Sequence, residues 1–321
     1  PHLLKYNERY AIDGEDVSDE VIINAFELIE TKREDIKLTY FEFSTLAAFI
    51  IFEKAEVDIA ILEVGLGGRL DSVNVVDSDV SIITNIAIDH TDYLGDTREA
   101  IGREKAGVMR GSRPCICGDQ DPPQSLLAYA KEIGTDITFV RKAYEDDIGL
   151  EGDHQRLNAA VAIQAVESLK EQLPISLSMI IQGVKSATIK ARFEKIEIGE
   201  KTIILDVAHN PAAVKTLVDT LSKSSMQTVA IFSALIDKDI IEMVDLASNA
   251  IKHWYLVPLT AERAIESDAL KNKFSNPDST TICKDMNSAI QESLTYKEAE
   301  RIVIFGSFYT IADASIIINE L

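Results

Sequence analysis

The chain has 321 residues, 46% of them hydrophobic, and a formal net charge of −21. This length and apolar content favour two domains with well-filled cores, and the negative charge argues against general binding to nucleic acid, whose phosphates would be repelled. No apolar run reaches the roughly 20 residues of a membrane-spanning helix, and three cysteines suit neither a disulfide framework nor a four-ligand metal site. We therefore predict a soluble, cytoplasmic, monomeric protein with no nucleic-acid or membrane partner.

Residues 58–64 are the first strongly patterned segment, an apolar run that predicts a buried β-strand. Glu63 stands near the carboxyl end of this strand, where α/β folds bind ligands. Glycines at 65, 67 and 68 follow and allow a substrate to approach the backbone closely. The alternative interpretation is a tight turn with an exposed glutamate.

A second apolar strand is predicted at 78–86, and Asp89 and His90 follow it. Because the carboxyl ends of neighbouring parallel strands meet at one edge of a sheet, Glu63 and His90 could surround one cation. Carboxylate and a single imidazole suit Mg²⁺ or Mn²⁺ better than structural zinc. Otherwise, His90 is a hydrogen-bonded structural residue.

A helix is predicted from near Thr97, and it carries Lys105. Ile101 and Met109 lie four residues to either side of Lys105, so this part of the helix faces inward. A buried lysine is costly unless it is paired or neutralised. An ordinary surface lysine is the alternative.

Strands and helices alternate along both halves of the chain. The first half contains predicted strands at 58–64, 78–86 and 114–118, with helices between them. The second half contains predicted strands at 202–207, 228–233, 254–258, 279–283 and 301–306, and helices at 211–223, 239–251, 285–295 and 308–320. This rhythm is typical of a doubly wound parallel α/β sheet. We expect a hinge at residues 185–196.

Several motifs occur in the same order as in folylpolyglutamate synthases: PHLLKYNER (1–9), LTYFEF (38–43), LEVGLGGRLDSVN (62–74), DHTDYLG (89–95), REKAG (103–107) and DVAHNP (206–211). Over essentially all its residues the chain resembles the bifunctional dihydrofolate synthase/folylpolyglutamate synthase family, which is related to the Mur ligases. The resemblance implies an α/β protein with a central ATPase domain at 1–190 and a Rossmann-like, doubly wound glutamate-ligase domain at 191–321.

The resemblance also implies an activity. Such an enzyme is an ATP-dependent, ADP-forming amide ligase, which adds L-glutamate to dihydropteroate and to the γ-carboxylate of folates. The substrate carboxylate first forms an acyl phosphate, which an amine then captures. A Mur-type ligase acting on peptidoglycan precursors and an inactive nucleotide-binding fragment remain as alternatives.

Residue roles carry over from the matching motifs. Glu63 and His90 match ligands of Mg²⁺, Lys105 matches a lysine carboxylated by carbon dioxide, and His209 matches a contact to glutamate or phosphate. ATP is expected at Asn158, Arg192 and Asp206, and dihydropteroate at Thr39, Tyr40, Phe41, Glu42, Leu70, Asp71 and Ser72. The family usually has glycine before the arginine, whereas this chain has Ala191, so the hinge geometry there is in question.

The P-loop pattern GxxxxGK[ST] is not found in the 321 residues. The family carries it upstream of the PHLLKY segment, so we expect the chain to be part of a longer product and to bind ATP weakly by itself, with little turnover. ATP and polyglutamate are anions, so a locally positive cleft is also expected. The candidates to line it are Arg69, Lys105, Arg192, Lys238 and Arg263.

Overall fold

The computed structural model of the protein describes residues 2–320. Its strands are β1 (Ala11–Ile12), β2 (Glu15–Asp16), β3 (Ser81–Ile83), β4 (Cys115–Cys117), β5 (Ile137–Phe139), β6 (Glu194–Ile198), β7 (Lys201–Leu205), β8 (Thr228–Phe232), β9 (Trp254–Leu256), β10 (Thr280–Ile282) and β11 (Arg301–Phe305). Its helices are α1 (Asp19–Arg33), α2 (Tyr40–Ala55), α3 (Thr91–Leu94), α4 (Arg98–Ala106), α5 (Gln124–Ile133), α6 (Asp153–Ser168), α7 (Leu177–Ser186), α8 (Pro211–Leu221), α9 (Ile240–Ala247), α10 (Ser267–Lys271), α11 (Met286–Thr295) and α12 (Phe308–Ile318). Within the described residues, no helix has the length and apolarity that crossing a membrane requires.

Packing divides the chain into two compact units. The first contains residues up to 146 together with 156–181, and the second contains 147–155 and the residues from 182 onward. These units reflect packing alone. The domain boundary after residue 190 therefore stays a prediction.

Helices α1 and α2 form one layer of the first unit. Each begins with a hydroxyl that accepts a backbone N–H from its first turn, Ser18 for α1 and Thr39 for α2. The core of this layer consists of Tyr10, Val17, Ile22, Ala25, Ile29, Ala47 and Ile51. This packing fixes the position of the segment at 38–43, where α2 starts.

Strands β3, β4 and β5 form a parallel sheet in that order. The central strand β4 is completely buried, and burial raises the pKa of the Cys115 thiol to about 11. Helix α4 begins after its N-cap Thr97, which confirms the predicted start. Ile101 and Met109 are buried in the core beside this sheet, as their spacing predicts.

Residues 58–64 form no strand, which corrects the sequence prediction. The apolar run is not buried either, since the Ile61 side chain is 90% exposed. An extended segment joins a sheet only where another strand supplies hydrogen-bond partners, and none of the described strands pairs with this one. The connection to β3 also differs from the prediction, because it contains a 3-10 turn at Ser72–Val75 in place of a helix.

The second unit contains a six-stranded sheet with the order β10-β9-β8-β11-β7-β6. Five strands are parallel, as predicted, and β6 pairs antiparallel with β7 at the edge. Strand β6 begins inside the segment predicted as a hinge. Its side chains alternate between half-buried and exposed, which is typical of a strand with one solvated face.

Both faces of the second sheet are covered. Strands β8 and β11 are buried along their whole length. Alternate side chains of these strands share a core with helices α8 and α9, and α11 and α12 also contact the sheet. Successive side chains of a strand point to opposite faces, so complete burial requires helices on both sides. The doubly wound α/β prediction is therefore confirmed for this unit.

Gly306, which follows β11, allows a stability test of this sheet. Its φ is +115°, and an added Cβ would overlap the carbonyl oxygen of Ser233. We expect Gly306→Ala to lower the free energy of unfolding by about 3 kcal/mol or more, through backbone strain and overpacking. Gly199 has φ +61° with open space around it, so Gly199→Ala should cost only about 1 kcal/mol. Urea unfolding followed by fluorescence measures both, and equal costs would contradict the steric explanation.

Candidate active site

Two contacts join the start of α2 to the glycine loop, which we define as residues 65–72. An added Cβ at Gly65 would lie 2.6 Å from Cζ of Phe41, so the missing side chain lets this ring lie against the loop. The hydroxyl of Ser72 hydrogen-bonds that of Thr45 in α2 at 2.7 Å. The segments predicted to bind dihydropteroate are therefore in direct contact.

The predicted dihydropteroate residues also have local structural roles. Thr39 and Glu42 form a capping box, in which the Glu42 carboxylate accepts the Thr39 N–H at 2.7 Å. This backbone hydrogen bond lowers the pKa of Glu42. The side chains of Tyr40 and Leu70 are largely exposed.

Asp71 closes the glycine loop from within. Its carboxylate accepts backbone N–H groups from Gly65 at 3.0 Å, Leu66 at 2.9 Å and Val73 at 3.0 Å. Three such hydrogen bonds occupy much of the carboxylate's acceptor capacity. Asp71 therefore shapes the loop, whatever else it contacts.

The other side of the glycine loop packs on the last turn of α4. The N–H of Arg69 donates to the carbonyl oxygen of Glu104 at 2.8 Å, and the two side chains form an ion pair at 2.9 Å. An added Cβ on Gly68 would lie 3.1 Å from the carbonyl oxygen of Lys105. The helix that carries Lys105 thus lies directly against the loop, and Lys105 itself is half-buried.

Glu63 and His90 lie on irregular segments on either side of this loop. Glu63 is exposed, and His90 is exposed with φ +50° at the N-cap of α3. An added Cβ on Gly67 would lie 2.8 Å from the side chain of Leu94 in α3, so α3 also contacts the glycine loop. Both side chains are accessible to a ligand.

The donor chemistry of Glu63 and His90 suits a hard divalent cation. In the described residues, no group of three or more His, Cys, Asp or Glu side chains is arranged to hold a metal ion. Mg²⁺ commonly takes one or two carboxylates and completes its octahedron with waters and substrate phosphates. The two residues therefore fit as part of a ligand set that phosphate would complete.

Asp119 is a residue with structural contacts that the sequence interpretation did not single out. It follows β4, and it is only 5% exposed. Its carboxylate accepts the N–H of Ile86 at 2.6 Å and pairs with Arg98, the first residue of α4, at 3.1 Å. Little in the sequence singles it out, because an aspartate a few residues after a strand is ordinary.

In the second unit, Asp206 follows β7 and lies against the turn before β6. Its carboxylate accepts the N–H of Phe193 at 2.9 Å and that of Ala208 at 2.8 Å. Burial raises its pKa, while these N–H groups and the nearby Arg192 oppose the rise. Arg192 is exposed between two buried residues. The predicted ATP residues Arg192 and Asp206 are therefore neighbours.

His209 lies one residue before the N-cap of α8. Its Nδ1 is 2.8 Å from the carbonyl oxygen of Val207, so Nδ1 carries the proton and donates. Nε2 then remains for a ligand. Asn210 caps α8 and Pro211 occupies its first turn, which confirms the predicted helix start.

The remaining predicted residues are Asn158, Lys238 and Arg263. Asn158 is an exposed residue of the first unit, well inside α6 and not at the start of that helix. Lys238 and Arg263 both pair with Asp237, at 3.3 and 3.5 Å. Their positive charge is thus partly compensated by this acid.

Comparison with known proteins identifies the family. The Mur ligase middle domain matches residues 19–139, and the Mur ligase glutamate ligase domain matches residues 191–308. The dihydrofolate synthase/folylpolyglutamate synthase of Escherichia coli is 33% identical over 338 residues, which cover 99% of this chain and 79% of that protein. The chain belongs to the dihydrofolate synthase/folylpolyglutamate synthase family.

Solved structures of the dihydrofolate synthase/folylpolyglutamate synthase family have the same fold. E. coli FolC in complex with DHPP and ADP matches with a TM-score of 0.91 at 32% identity, covering 100% of this chain and 80% of that one. The bifunctional enzyme of Yersinia pestis complexed with AMPPNP and Mn ion matches with a TM-score of 0.89 at 36% identity, covering 99% and 80%. The fold prediction of Mur-ligase-like α/β domains is thereby confirmed.

Ala191 adopts a backbone conformation that is typical of glycine. Its φ is +58°, in the left-handed region that glycine adopts freely, and Phe193 has φ +52°. Ala191 is nevertheless held in place, since its N–H donates to Glu194 at 2.7 Å and its carbonyl accepts the Val207 N–H at 3.0 Å. The glycine-like conformation is thus retained at the cost of strain.

Replacing Ala191 by glycine measures this strain. We expect Ala191→Gly to change the free energy of unfolding by less than about 0.5 kcal/mol, because strain relief offsets the lost methyl and the added backbone entropy. Ala314, equally buried but inside helix α12, is the matched control, and Ala314→Gly should cost about 2 kcal/mol. Fluorescence of Trp254, the one tryptophan, reports urea unfolding of this unit. Equal costs would show that Ala191 stores no strain.

Proposed function

We propose that the protein is an ATP-dependent, ADP-forming amide ligase that adds L-glutamate to dihydropteroate and to the γ-carboxylate of folates. Family membership supports ATP-dependent glutamate ligation. The observation that carries the finer proposal is the glycine loop, which packs on Phe41 with one side and on the helix of Lys105 with the other. The acceptor and the phosphate chemistry would therefore meet at one loop.

The proposed reaction has two steps. A carboxylate oxygen of the acceptor attacks the γ-phosphorus of ATP, the bond from this phosphorus to the bridging oxygen breaks, and ADP leaves. The amino group of glutamate then attacks the acyl carbon, loses a proton and expels inorganic phosphate, so that an amide remains. Negative charge on phosphate oxygens must be stabilised in both steps by cations and N–H donors.

The proposed roles divide between the two units. In the first unit, Thr39, Tyr40, Phe41 and Glu42 with Leu70, Asp71 and Ser72 hold the pterin, and Asn158 contacts ATP. In the second unit, Arg192 and Asp206 contact ATP, and His209 contacts glutamate or phosphate through Nε2. Arg192 is suited to phosphate because it is exposed and its guanidinium stays charged.

Glu63 and His90 are proposed as ligands of Mg²⁺, which when bound neutralises phosphate charge. Lys105 is proposed to react with carbon dioxide through its uncharged amine, which loses a proton and gives a carbamate. This reaction converts a cation into an anion with oxygen donors, the ligand type that Mg²⁺ prefers. The carbamate is lost when its nitrogen takes up a proton and carbon dioxide leaves, and the half-buried position of Lys105 limits access of solvent protons to it.

Isotope transfer tests the acyl phosphate. With ¹⁸O in the acceptor carboxylate, ATP and L-glutamate, we expect inorganic phosphate to carry one ¹⁸O for each amide formed, measured by mass spectrometry. Dihydropteroate, tetrahydrofolate and a UDP-muramoyl substrate are offered in parallel. Amide formation without label in phosphate contradicts the acyl phosphate, and turnover of the UDP-muramoyl substrate alone contradicts the folate assignment.

Labelled bicarbonate tests the carbamate independently of turnover. In ¹³C-bicarbonate with Mg²⁺, we expect one protein-bound carbamate signal by NMR, which Lys105→Ala removes. Lys131 is the matched control, since it also lies in the last turn of a helix of the same unit but is exposed. A signal that survives Lys105→Ala, or that disappears with Lys131→Ala, rules out carbamylation of Lys105.

A further inference from the structure

Two predicted functional residues lie on segments that one ion pair connects, between the buried Asp119 and the half-buried Arg98. His90 ends the irregular segment that follows β3, and Lys105 lies in α4. Arg98 begins α4, and Asp119 follows the neighbouring strand β4. Since Asp119 and Arg98 both bind Ile86, four residues before His90, the pair connects these two segments.

Ile86 is hydrogen-bonded through both of its backbone polar groups. Its N–H donates to Oδ2 of Asp119 at 2.6 Å, and its carbonyl oxygen accepts Nε of Arg98 at 3.0 Å. The side chain of Ile86 is itself buried. These two hydrogen bonds leave the backbone at Ile86 little freedom. Within the described residues, Ile86 is also the last residue before His90 that makes a non-local hydrogen bond.

The pair is built as a rigid unit. Nη2 of Arg98 reaches both oxygens of Asp119, at 3.1 and 3.2 Å, and also the carbonyl oxygen of Asp121 at 2.8 Å. The N–H of Asp121 donates back to Asp119 at 2.9 Å. A buried carboxylate with this many charged and neutral donors is held in one geometry. Asp119 therefore fixes the positions of Arg98 and Ile86 and does not only balance a charge.

We propose that Asp119 is a positioning residue, which acts through Arg98 and Ile86 to hold His90 at a fixed place relative to Lys105. This inference rests on the proposed function for the roles of His90 and Lys105. It adds a residue that touches neither metal nor substrate. Loss of the Asp119 charge should release the segment at 84–92 while the fold persists.

Asp119→Asn tests the proposal, with Asp121→Asn as the matched control. Asp121 binds the same arginine at 3.4 Å but is 96% exposed, so both changes remove one charge from one arginine. By hydrogen exchange without metal or nucleotide, we expect Asp119→Asn to speed exchange of the amides at 84–92 by about tenfold or more, as for a lost charged hydrogen bond. Asp121→Asn should leave these rates unchanged. Faster exchange spread evenly over the first unit, or no change at 84–92, overturns the proposal.

Mn²⁺ binding with AMPPNP gives the functional readout. We expect Asp119→Asn to weaken Mn²⁺ binding, titrated by electron paramagnetic resonance, by about tenfold while Asp121→Asn does not. Equal Mn²⁺ affinity in the wild type and Asp119→Asn overturns the proposal even where exchange changes. If the wild type binds no Mn²⁺, as the weak nucleotide binding expected of this chain would explain, the exchange result alone decides the positioning. Should Asp119→Asn not fold, Arg98→Lys, which keeps the charge but loses the fork, must show the same local exchange.

Discussion

Close backbone packing around the glycine loop is the constraint on which the first unit depends. Glycine stands at the points where the loop meets Phe41 and the end of α4, so the main chain of the loop comes into van der Waals contact with the ring and with the helix. Protein interiors are too dense for such contacts to adapt gradually. The main chain of Lys105 is consequently fixed by these backbone contacts, and only its side chain remains flexible.

The second unit contains a turn with strained backbone and a carboxyl that is costly to ionise. Ala191 and Phe193 both have left-handed backbone. Asp206 is a half-buried carboxyl whose N–H partners are Phe193, in this strained turn, and Ala208, three residues after β7. Burial raises the pKa of Asp206 above its ordinary value. An acid with a raised folded-state pKa costs stability when ionised, and that cost fades as the pH falls through this pKa. Strain and a costly charge at one turn are typical of a site selected for binding.

Much of the fold was predictable because local chemistry and tertiary structure agree. Three of the five parallel strands of the second unit, β8, β9 and β11, are apolar runs buried along their whole length. The starts of α4 and α8 carry capping residues that act over one turn. Residues 58–64 failed for the opposite reason. Their apolar pattern is local, but a strand also needs a neighbour, and pairing is a property of the fold.

The candidate site was predicted only through motifs, and the roles of its residues stay predictions. Glu63, His90 and Lys105 follow from sequence position, and the structure places their segments around one loop. The Asp119 and Arg98 pair was invisible because 21 residues separate its members along the chain, and an aspartate after a strand is ordinary. The left-handed φ of Ala191 could not be read from alanine, which rarely adopts it.

The cysteines carry a consequence of their own. Each unit keeps its thiols in its sheet, Cys115 and Cys117 in the first and Cys283 beside the second, and burial raises the pKa of Cys283 to about 12. Thiolate is the reactive form, so these groups are chemically silent while the sheets stay closed. The rate at which a thiol reagent labels the cysteines of one unit therefore measures how often that unit opens, independently of the other unit.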